Sequence, residues 1–278
     1  MNPLNINSIF LVRKLDALDN IIVSQVCNDL TLQSTKLNLN LIEDINEISK
    51  NTLIIAIGGD GTMLYAMKLA AKNEAFVIGV NLGKLGFLVE HNPNSLLFLT
   101  DIISGDFQLE SRSVLSMDFE GITHLAMNEI TITHEKTGGT LSYSLKIGNM
   151  TAGTHKADGV IISTPTGSTG YALSTGGAIL DPSLNVIEII PLAPLTITSR
   201  PLIIPNDKII TISPEKSRFG NLMLRADGQE FGIINNNDII NTPIIIKPYQ
   251  KKSIVLRDNH WNFYTTLTAK LGWNRSTF

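Results

Sequence analysis

Cysteine occurs once in the 278 residues, at position 27. A lone thiol allows neither an intramolecular disulfide nor a thiolate cluster for zinc or iron–sulfur, which sets aside the stapled secreted class and points to the cytoplasm. Charge is scarce as well: 22 Lys and Arg stand against 25 Asp and Glu, a net −3 with only 17% charged residues. Without a basic excess there is no electrostatic footprint for duplex DNA or an anionic membrane, so neither nucleic acid nor a bilayer is an expected partner. No apolar run reaches the ~18–20 residues of a membrane helix. The opening MNPLNINSIFLVRK has no charged region followed by a long apolar one, so a soluble, unprocessed chain is expected.

Several chemical signatures are missing too. There is no GxxxxGK[ST] phosphate loop, and neither glycine-bearing stretch matches GxGxxG, which removes support for a P-loop NTPase or a Rossmann dehydrogenase. The histidines at 91, 124, 134, 155 and 260 include no i, i+4 pair. Gly121 between Glu120 and His124 marks a turn rather than a zinc-binding helix, so no side-chain metal cage is expected. Ser174 lacks a G-x-S-x-G elbow, and a serine hydrolase is unsupported.

What is present is a sequence 43% hydrophobic, enough to bury a real core in one large domain or two modest ones. Short β-branched runs alternate with helical spacing at first: Ser8–Val12 as a strand, Leu15–Leu30 as a helix, Asn38–Ile42 as a second short strand. Thr52–Ile57 reads as a strand covered on both faces, Met63–Lys72 as a helix, and Ala75–Val80 as another buried strand, ending in Asn81-Leu-Gly83-Lys-Leu-Gly86-Phe87. From Phe107 the texture changes to strand-length segments with turn signals such as Glu120-Gly121 and Asp227-Gly228. Leu141, Tyr143, Leu145 and Ile147 alternate with polar partners. The expected fold is therefore an α/β N-terminal domain with a parallel sheet over 1–106 and a β-rich, sandwich-like domain over 107–256. A tail helix follows within 257–278, packing back on the first domain or on a neighbouring subunit.

Gly58-Gly59-Asp60-Gly61-Thr62 sits where a buried strand ends and a helix begins, the place where open α/β sheets present ligand crevices. Its glycines let backbone N–H groups approach an anion, and the helix aims its positive end at the same point. Gly58, Gly59 and Thr62 thus suit a phosphate. Asp60 adds negative charge beside that phosphate and needs another task. It binds Mg²⁺, accepts a proton from an attacking hydroxyl, or caps the helix in an Asx turn; spacing alone does not choose among the three.

A second constellation runs from Lys156 and Asp158 through the apolar Val160–Ile162 into Thr164-Pro-Thr-Gly-Ser-Thr169-Gly170-Tyr171. It is either a loop that lets backbone and hydroxyls close on a ligand while Tyr171 offers a stacking face, or an ordinary Ser/Thr-rich turn. Upstream, Asn128-Glu129 interrupts the apolar pattern Leu125, Met127, Ile130, Ile132. A carboxylate there must find donors, which a ribose diol would supply, unless the pair faces solvent at a sheet edge.

The glycine-rich acid loop, the Asn-Glu pair, the ADG…STPTGSTGY stretch, the Ala226-Asp-Gly-Gln229 hairpin, Ser199-Arg200-Pro201 and the ending Lys270-Leu-Gly-Trp273 occur in an order that resembles the NAD kinase family. The resemblance spans about Thr52 to the tail. GGDGT alone is similar to the loop of diacylglycerol and sphingosine kinases; TPTGSTGY is far more specific.

The resemblance implies transfer of a phosphoryl group from ATP, or from inorganic polyphosphate, to the 2′-hydroxyl of the adenosine ribose of NAD, giving NADP, with Mg²⁺ or another divalent cation on the donor. It assigns Asp60 as proton acceptor with Gly61 as its neighbouring contact, and Asn128 and Glu129 as the ribose pair. Asp158, the run Thr169, Gly170, Tyr171, Ala172, Leu173 and Ser174, and Ala193 and Gln229 line the rest of the NAD pocket. The reaction is expected in the cleft between domains, in a homodimer or homotetramer built through the β-rich domains. Two positions depart from the family: Lys156, where relatives commonly carry arginine, puts a point charge in place of a planar fork, and Leu195 stands where histidine is common. Two other functions compete, a GGDGT-type lipid kinase and a dinucleotide sensor without catalysis. The first would want an apolar acceptor groove and membrane-facing basic or aromatic residues that the sequence does not show.

Overall fold

Short hydrophobic runs and segments of helical spacing alternate at the start of the chain, and the backbone follows that alternation. The computed structural model describes residues 4–13, 21–82, 86–91, 96, 98–136, 138–215 and 219–273. It forms two units, Met1–Arg112 with Lys251–Phe278, and Ser113–Gln250. The first begins with β1 (Ser8–Arg13), α1 (Ile21–Lys36), β2 (Asn40–Ile42), β3 (Thr52–Gly58), α2 (Asp60–Asn73), β4 (Phe76–Asn81), α3 (Phe98–Ser104) and β5 (Gln108–Arg112). β3 pairs in parallel with β1 and β4. All of its residues are buried, as a strand covered on both faces requires. Leu53, Ile55 and Ile57 share one core with Val23, Val26 and Leu30 of α1 and with Phe98 and Leu99 of α3.

Both helices differ in extent from the sequence reading. The one expected over Leu15–Leu30 is described from Ile21 and continues to Lys36; residues 14–20 lie outside the described residues. Its polar end stays helical because Thr31 and Thr35 donate their hydroxyls to the carbonyls of Cys27 and Thr31, at 2.8 and 3.0 Å, and so do not compete with the helical backbone. α2 starts at Asp60 rather than Met63, with Gly59 as its N-cap. Gly61 is a poor helix former, and the first turn of α2 carries its backbone-entropy cost. Gly83, Lys84 and Leu85 of the glycine-punctuated stretch after β4 lie outside the described residues.

The second unit comprises β6 (Leu115–Phe119), β7 (Ile122–Ala126), β8 (Glu129–His134), β9 (Leu141–Ile147), β10 (Met150–Ala157), β11 (Gly159–Ser163), α4 (Tyr171–Ser174), β12 (Val186–Leu192), β13 (Leu202–Pro205), β14 (Ile210–Pro214), β15 (Leu222–Ala226), β16 (Gln229–Ile234) and β17 (Ile244–Pro248). Two six-stranded sheets result, ordered β10-β9-β14-β17-β6-β7 and β13-β12-β11-β8-β15-β16. Alternate residues of both meet in one core: Tyr143, Leu145, Ile210 and Ile244 from the first sheet, Ile130, Ile132, Val160 and Leu224 from the second. The hairpins Glu120-Gly121 and Asp227-Gly228 turn with positive φ at both central residues, the geometry that matches strand twist.

The chain then returns to the first unit with β18 (Ser253–Arg257) and α5 (Phe263–Leu271). β18 lies parallel to β4 and antiparallel to β5, so the first sheet reads β2-β1-β3-β4-β18-β5. β5 and β18 thus fall outside the β-rich domain expected over 107–256. A strand-length segment carries no mark of the sheet it joins, and pairing across nearly 150 residues of chain is not visible to local periodicity. α5 is capped by Asn262, whose Oδ1 accepts from the N–H of Tyr264 and Thr265 at 2.9 and 3.2 Å.

Candidate active site

In the first unit the chemistry gathers where β3 gives way to α2. Asp60 occupies the first helical position after the N-cap Gly59, and both of its carboxylate oxygens are engaged outside its own helix rather than in an Asx turn. The carboxylate reaches a stretch after β4: Oδ2 accepts the N–H of Phe87 at 3.0 Å and Oδ1 that of Leu88 at 3.1 Å. The contact is close enough that a Cβ on Gly86 would lie 1.9 Å from Asp60 Oδ1. Gly59 and Gly61 present the opposite case, since among the described residues a Cβ on either would meet nothing within 4 Å. No described atom demands glycine at those two positions, which leaves space among the described residues at the helix N-terminus, where N–H donors and the positive dipole end lie.

Leu88 is held on its other side as well. Its carbonyl accepts from Nη1 of Arg257, on β18, at 2.8 Å. Arg257 Nε pairs with Glu110 Oε2 at 2.8 Å, Arg112 Nη2 pairs with the same oxygen at 2.8 Å, and Glu90 Oε2 lies 3.5 Å from Arg257 Nη1.

In the second unit the register places Glu129 opposite Ser163 and Ser163 opposite Glu188, one polar row across β8, β11 and β12. Glu129 is 4% exposed, and its Oε2 has no hydrogen-bond partner among the described residues. It does not face solvent at a sheet edge. Burial, reinforced by the negative charge of Asp227, pushes its carboxyl up to about 7. Asp227, at the β15–β16 turn, accepts the N–H groups of Asn128 and Met127 at 2.7 and 3.2 Å. Glu188 is fully buried; Oε1 accepts the N–H of Ala178 at 2.8 Å, and desolvation raises its carboxyl too.

The Ser/Thr-rich stretch is stitched to the same point. Thr164 donates its hydroxyl to the Met127 carbonyl at 2.5 Å and accepts from the Gly167 N–H at 3.2 Å. A Cβ on Gly167 would lie 2.2 Å from the Asn128 carbonyl oxygen, so the turn closes down on Asn128 only as glycine. Ser168 donates to the Pro165 carbonyl at 2.7 Å and accepts from Leu180 at 3.0 Å. These buried hydroxyls serve the turn itself and are not offered to a ligand. Ala172 is buried against Ile161, Ile190 and Leu192, so its methyl group is not a contact surface. Tyr171 and Ser174 are exposed, Thr169, Gly170 and Leu173 half-buried. An added Cβ on Gly170 would come 3.5 Å from Asn128 Nδ2 and 3.8 Å from Glu129 Oε2, which puts this backbone beside both side chains.

Gln229 is exposed next to Asp227, at the start of β16. Lys156, Asp158 and Ala193 form a separate, exposed group: Leu195 donates its N–H to the Lys156 carbonyl at 2.9 Å, Asp158 donates its N–H to the Leu192 carbonyl at 2.8 Å, and Ala193 has φ +41°. Gly159 pairs with Leu192 and Ser163 with Glu188, so this group stands one length of β11 from the Glu129 row, about 13 Å at the usual strand rise. Three residues at these sites were not singled out from sequence. Glu188 carries a visible signal, a lone acid in the apolar Val186–Leu192; Asp227 has only the signature of a turn, and Arg257 gives no signal at all.

Residues 23–107 match the family described as ATP-NAD kinase N-terminal domain, and residues 127–256 the one described as ATP-NAD kinase C-terminal domain. The NAD kinase of Acinetobacter baylyi is 35% identical over 229 residues, spanning 80% of this chain and 73% of its own. That of Wigglesworthia glossinidia brevipalpis is 38% identical over 242 residues, 84% of this chain and 79% of the relative. Among solved structures, yeast NADH kinase complexed with NADH superposes with a TM-score of 0.84 at 22% identity, covering 100% of this chain and 90% of that one. An NAD kinase from Archaeoglobus fulgidus in complex with ATP gives 0.72 at 21% identity, covering 98% and 100%. At those identities the two structures speak for the fold.

Proposed function

This chain belongs to the NAD kinase family and is a kinase acting on NAD, and on that premise we propose that it transfers the terminal phosphoryl group of ATP, or of polyphosphate, to the 2′-hydroxyl of the adenosine ribose, giving NADP. Neither a lipid acceptor nor a purely sensing role finds support in these relatives.

The observation that carries the acceptor assignment is the buried Glu129 oxygen without a partner beside Asn128. Such an atom asks for a donor, and a ribose diol brings two. Gly170, Tyr171 and Gln229 stand next to that pair and suit the adenosine end of the dinucleotide. Asp158 and Ala193, with Lys156, suit its far end. Ala172 acts through the packing beneath Tyr171 rather than by touching NAD.

Asp60 is assigned the proton of the attacking hydroxyl. A ribose hydroxyl titrates far above neutrality, so a carboxylate takes its proton only as the O–P bond forms, and alignment does most of the work. A carboxylate held by two backbone N–H groups at the head of a buried helix is stiff enough for that task. The space among the described residues at Gly59 and Gly61, with Gly58 and Thr62 flanking, suits the donor phosphates at the helix N-terminus. A divalent cation would travel on those phosphates and neutralise their charge. Among the described residues no group of three or more His, Cys, Asp or Glu is placed to hold a metal ion.

No described helix is long and apolar enough to cross a membrane. A single, buried thiol suits the reducing cytoplasm, where we place the enzyme. We also assign it a homodimeric or homotetrameric state through the β-rich unit, whose Ile122, Ile203 and Ile245 are exposed. Incubation with NAD and Mg²⁺ and either ATP or polyphosphate, followed by detection of 2′-phosphorylated product, tests the activity and separates the donors. Failure to form NADP with either would overturn the reading.

A further inference from the structure

We infer that Arg257 is a positioning residue for phosphoryl transfer: it fixes Leu88, and through Leu88 it holds the Asp60 carboxylate in its working orientation. The inference rests on the reading of Asp60 as the proton acceptor.

Residues 86–88 belong to no strand or helix. What fixes Leu88 is a pair of bonds on opposite sides of one residue, its N–H given to Asp60 Oδ1 at 3.1 Å and its carbonyl accepting from Arg257 Nη1 at 2.8 Å. Asp60 comes from the start of α2 and Arg257 from the end of β18, so Leu88 joins the two side chains by one bond on each side. Arg257 is itself buried and held by its neighbours. It is 2% exposed, its Nε edge is paired with Glu110 at 2.8 Å, and the Trp261 ring lies 4.5 Å beneath its guanidinium carbon. With one edge and one face occupied, the planar fork presents Nη1 to the Leu88 carbonyl in a single direction, which a lysine ammonium does not reproduce while also serving Glu110.

A role in stability alone accounts poorly for this arrangement. Burying a guanidinium is costly, and Arg257 Nη2 has no hydrogen-bond partner among the described residues. An apolar side chain of similar volume, together with neutral partners, would fill the same space at less expense. The geometry instead places a rigid donor where it stops Leu88 from drifting away from Asp60.

The test is Arg257→Lys, which keeps a positive charge for Glu110 and gives up the fixed second prong, made in the wild-type and Asp60→Asn backgrounds. Expected in the wild-type background is a fall in kcat of about tenfold with KM for NAD changed by less than about twofold. Amide exchange at Phe87 and Leu88 should be faster, with the thermal midpoint near wild type. In the Asp60→Asn background the same substitution should leave the residual turnover unchanged, because the group it positions is already gone. An unchanged kcat in the wild-type background, or an equal loss in both backgrounds, would overturn the inference. Asp60→Asn alone reports on the reading beneath it: normal turnover in that variant sinks the proton-acceptor role whatever Arg257 does. If Arg257→Lys fails to fold, Arg257→Met is measured by the same exchange and turnover criteria. Misfolding of both variants would mark Arg257 as a stabilising residue and overturn the inference.

Discussion

Asp60 and Gly86 approach so closely that only a hydrogen fits on the Gly86 α-carbon: an added Cβ would lie 1.9 Å from Asp60 Oδ1. All three carboxylate atoms of Asp60 would lie under 3 Å from that Cβ, so Gly86→Ala is relieved by turning the carboxylate out of its bonds to the Phe87 and Leu88 N–H groups rather than by moving the backbone. The expected result is a fall in kcat of about tenfold or more with a thermal midpoint within about 3 °C of wild type. Steady-state kinetics beside a melting curve measures both.

Gly61→Ala separates ligand approach from folding. The position is helical and its Cβ would meet nothing among the described residues, so the substitution should stabilise the protein by roughly 0.5–1 kcal/mol. If donor phosphates occupy that space, the KM for ATP rises even as the denaturation midpoint increases. An unaltered KM would move the phosphate site elsewhere.

Glu129 gives the stability a particular pH dependence. Between the ordinary glutamate value of 4.5 and about 7, the native state keeps a proton that the unfolded chain has lost. Stability from this group is therefore full at low pH and declines as pH rises through that window, by on the order of 3 kcal/mol. Glu129→Gln removes the decline: its stability should match wild type near pH about 4.5 and exceed it above pH about 7. Glu188 contributes in the same direction and is present in both proteins, so the difference between the two denaturation profiles isolates Glu129.

The β-rich unit leaves Ile122, Ile203 and Ile245 exposed, and a homodimer or larger assembly is the expected state in solution. Sedimentation velocity at assay concentrations measures it, and an active monomer contradicts it.

Much of this was legible in the chain itself. The almost wholly apolar Thr52–Ile57 running into GGDGT located the strand–helix junction because β-branched runs and glycine punctuation are local signals. Asp-Gly at 227–228 located a hairpin for the same reason. What stayed hidden is set by long-range pairing. Whether Asp60 caps its own helix or reaches Phe87 and Leu88 depends on where β4 leaves the sheet, and Arg257 acquires its role only because β18 enters beside β4 from the far end of the chain. Likewise the hydroxyls of Thr164 and Ser168 looked available to a ligand; their commitment to Met127, Pro165 and Leu180 follows from the fold of the turn and leaves no trace in composition.

Asp60 takes a proton during the proposed phosphoryl transfer, and turnover by Asp60→Asn, measured together with NAD affinity, tests that role most directly. The expected result is a kcat lower by about a hundredfold or more with NAD dissociation within about threefold of wild type. Near-normal kcat in a folded Asp60→Asn protein would contradict it.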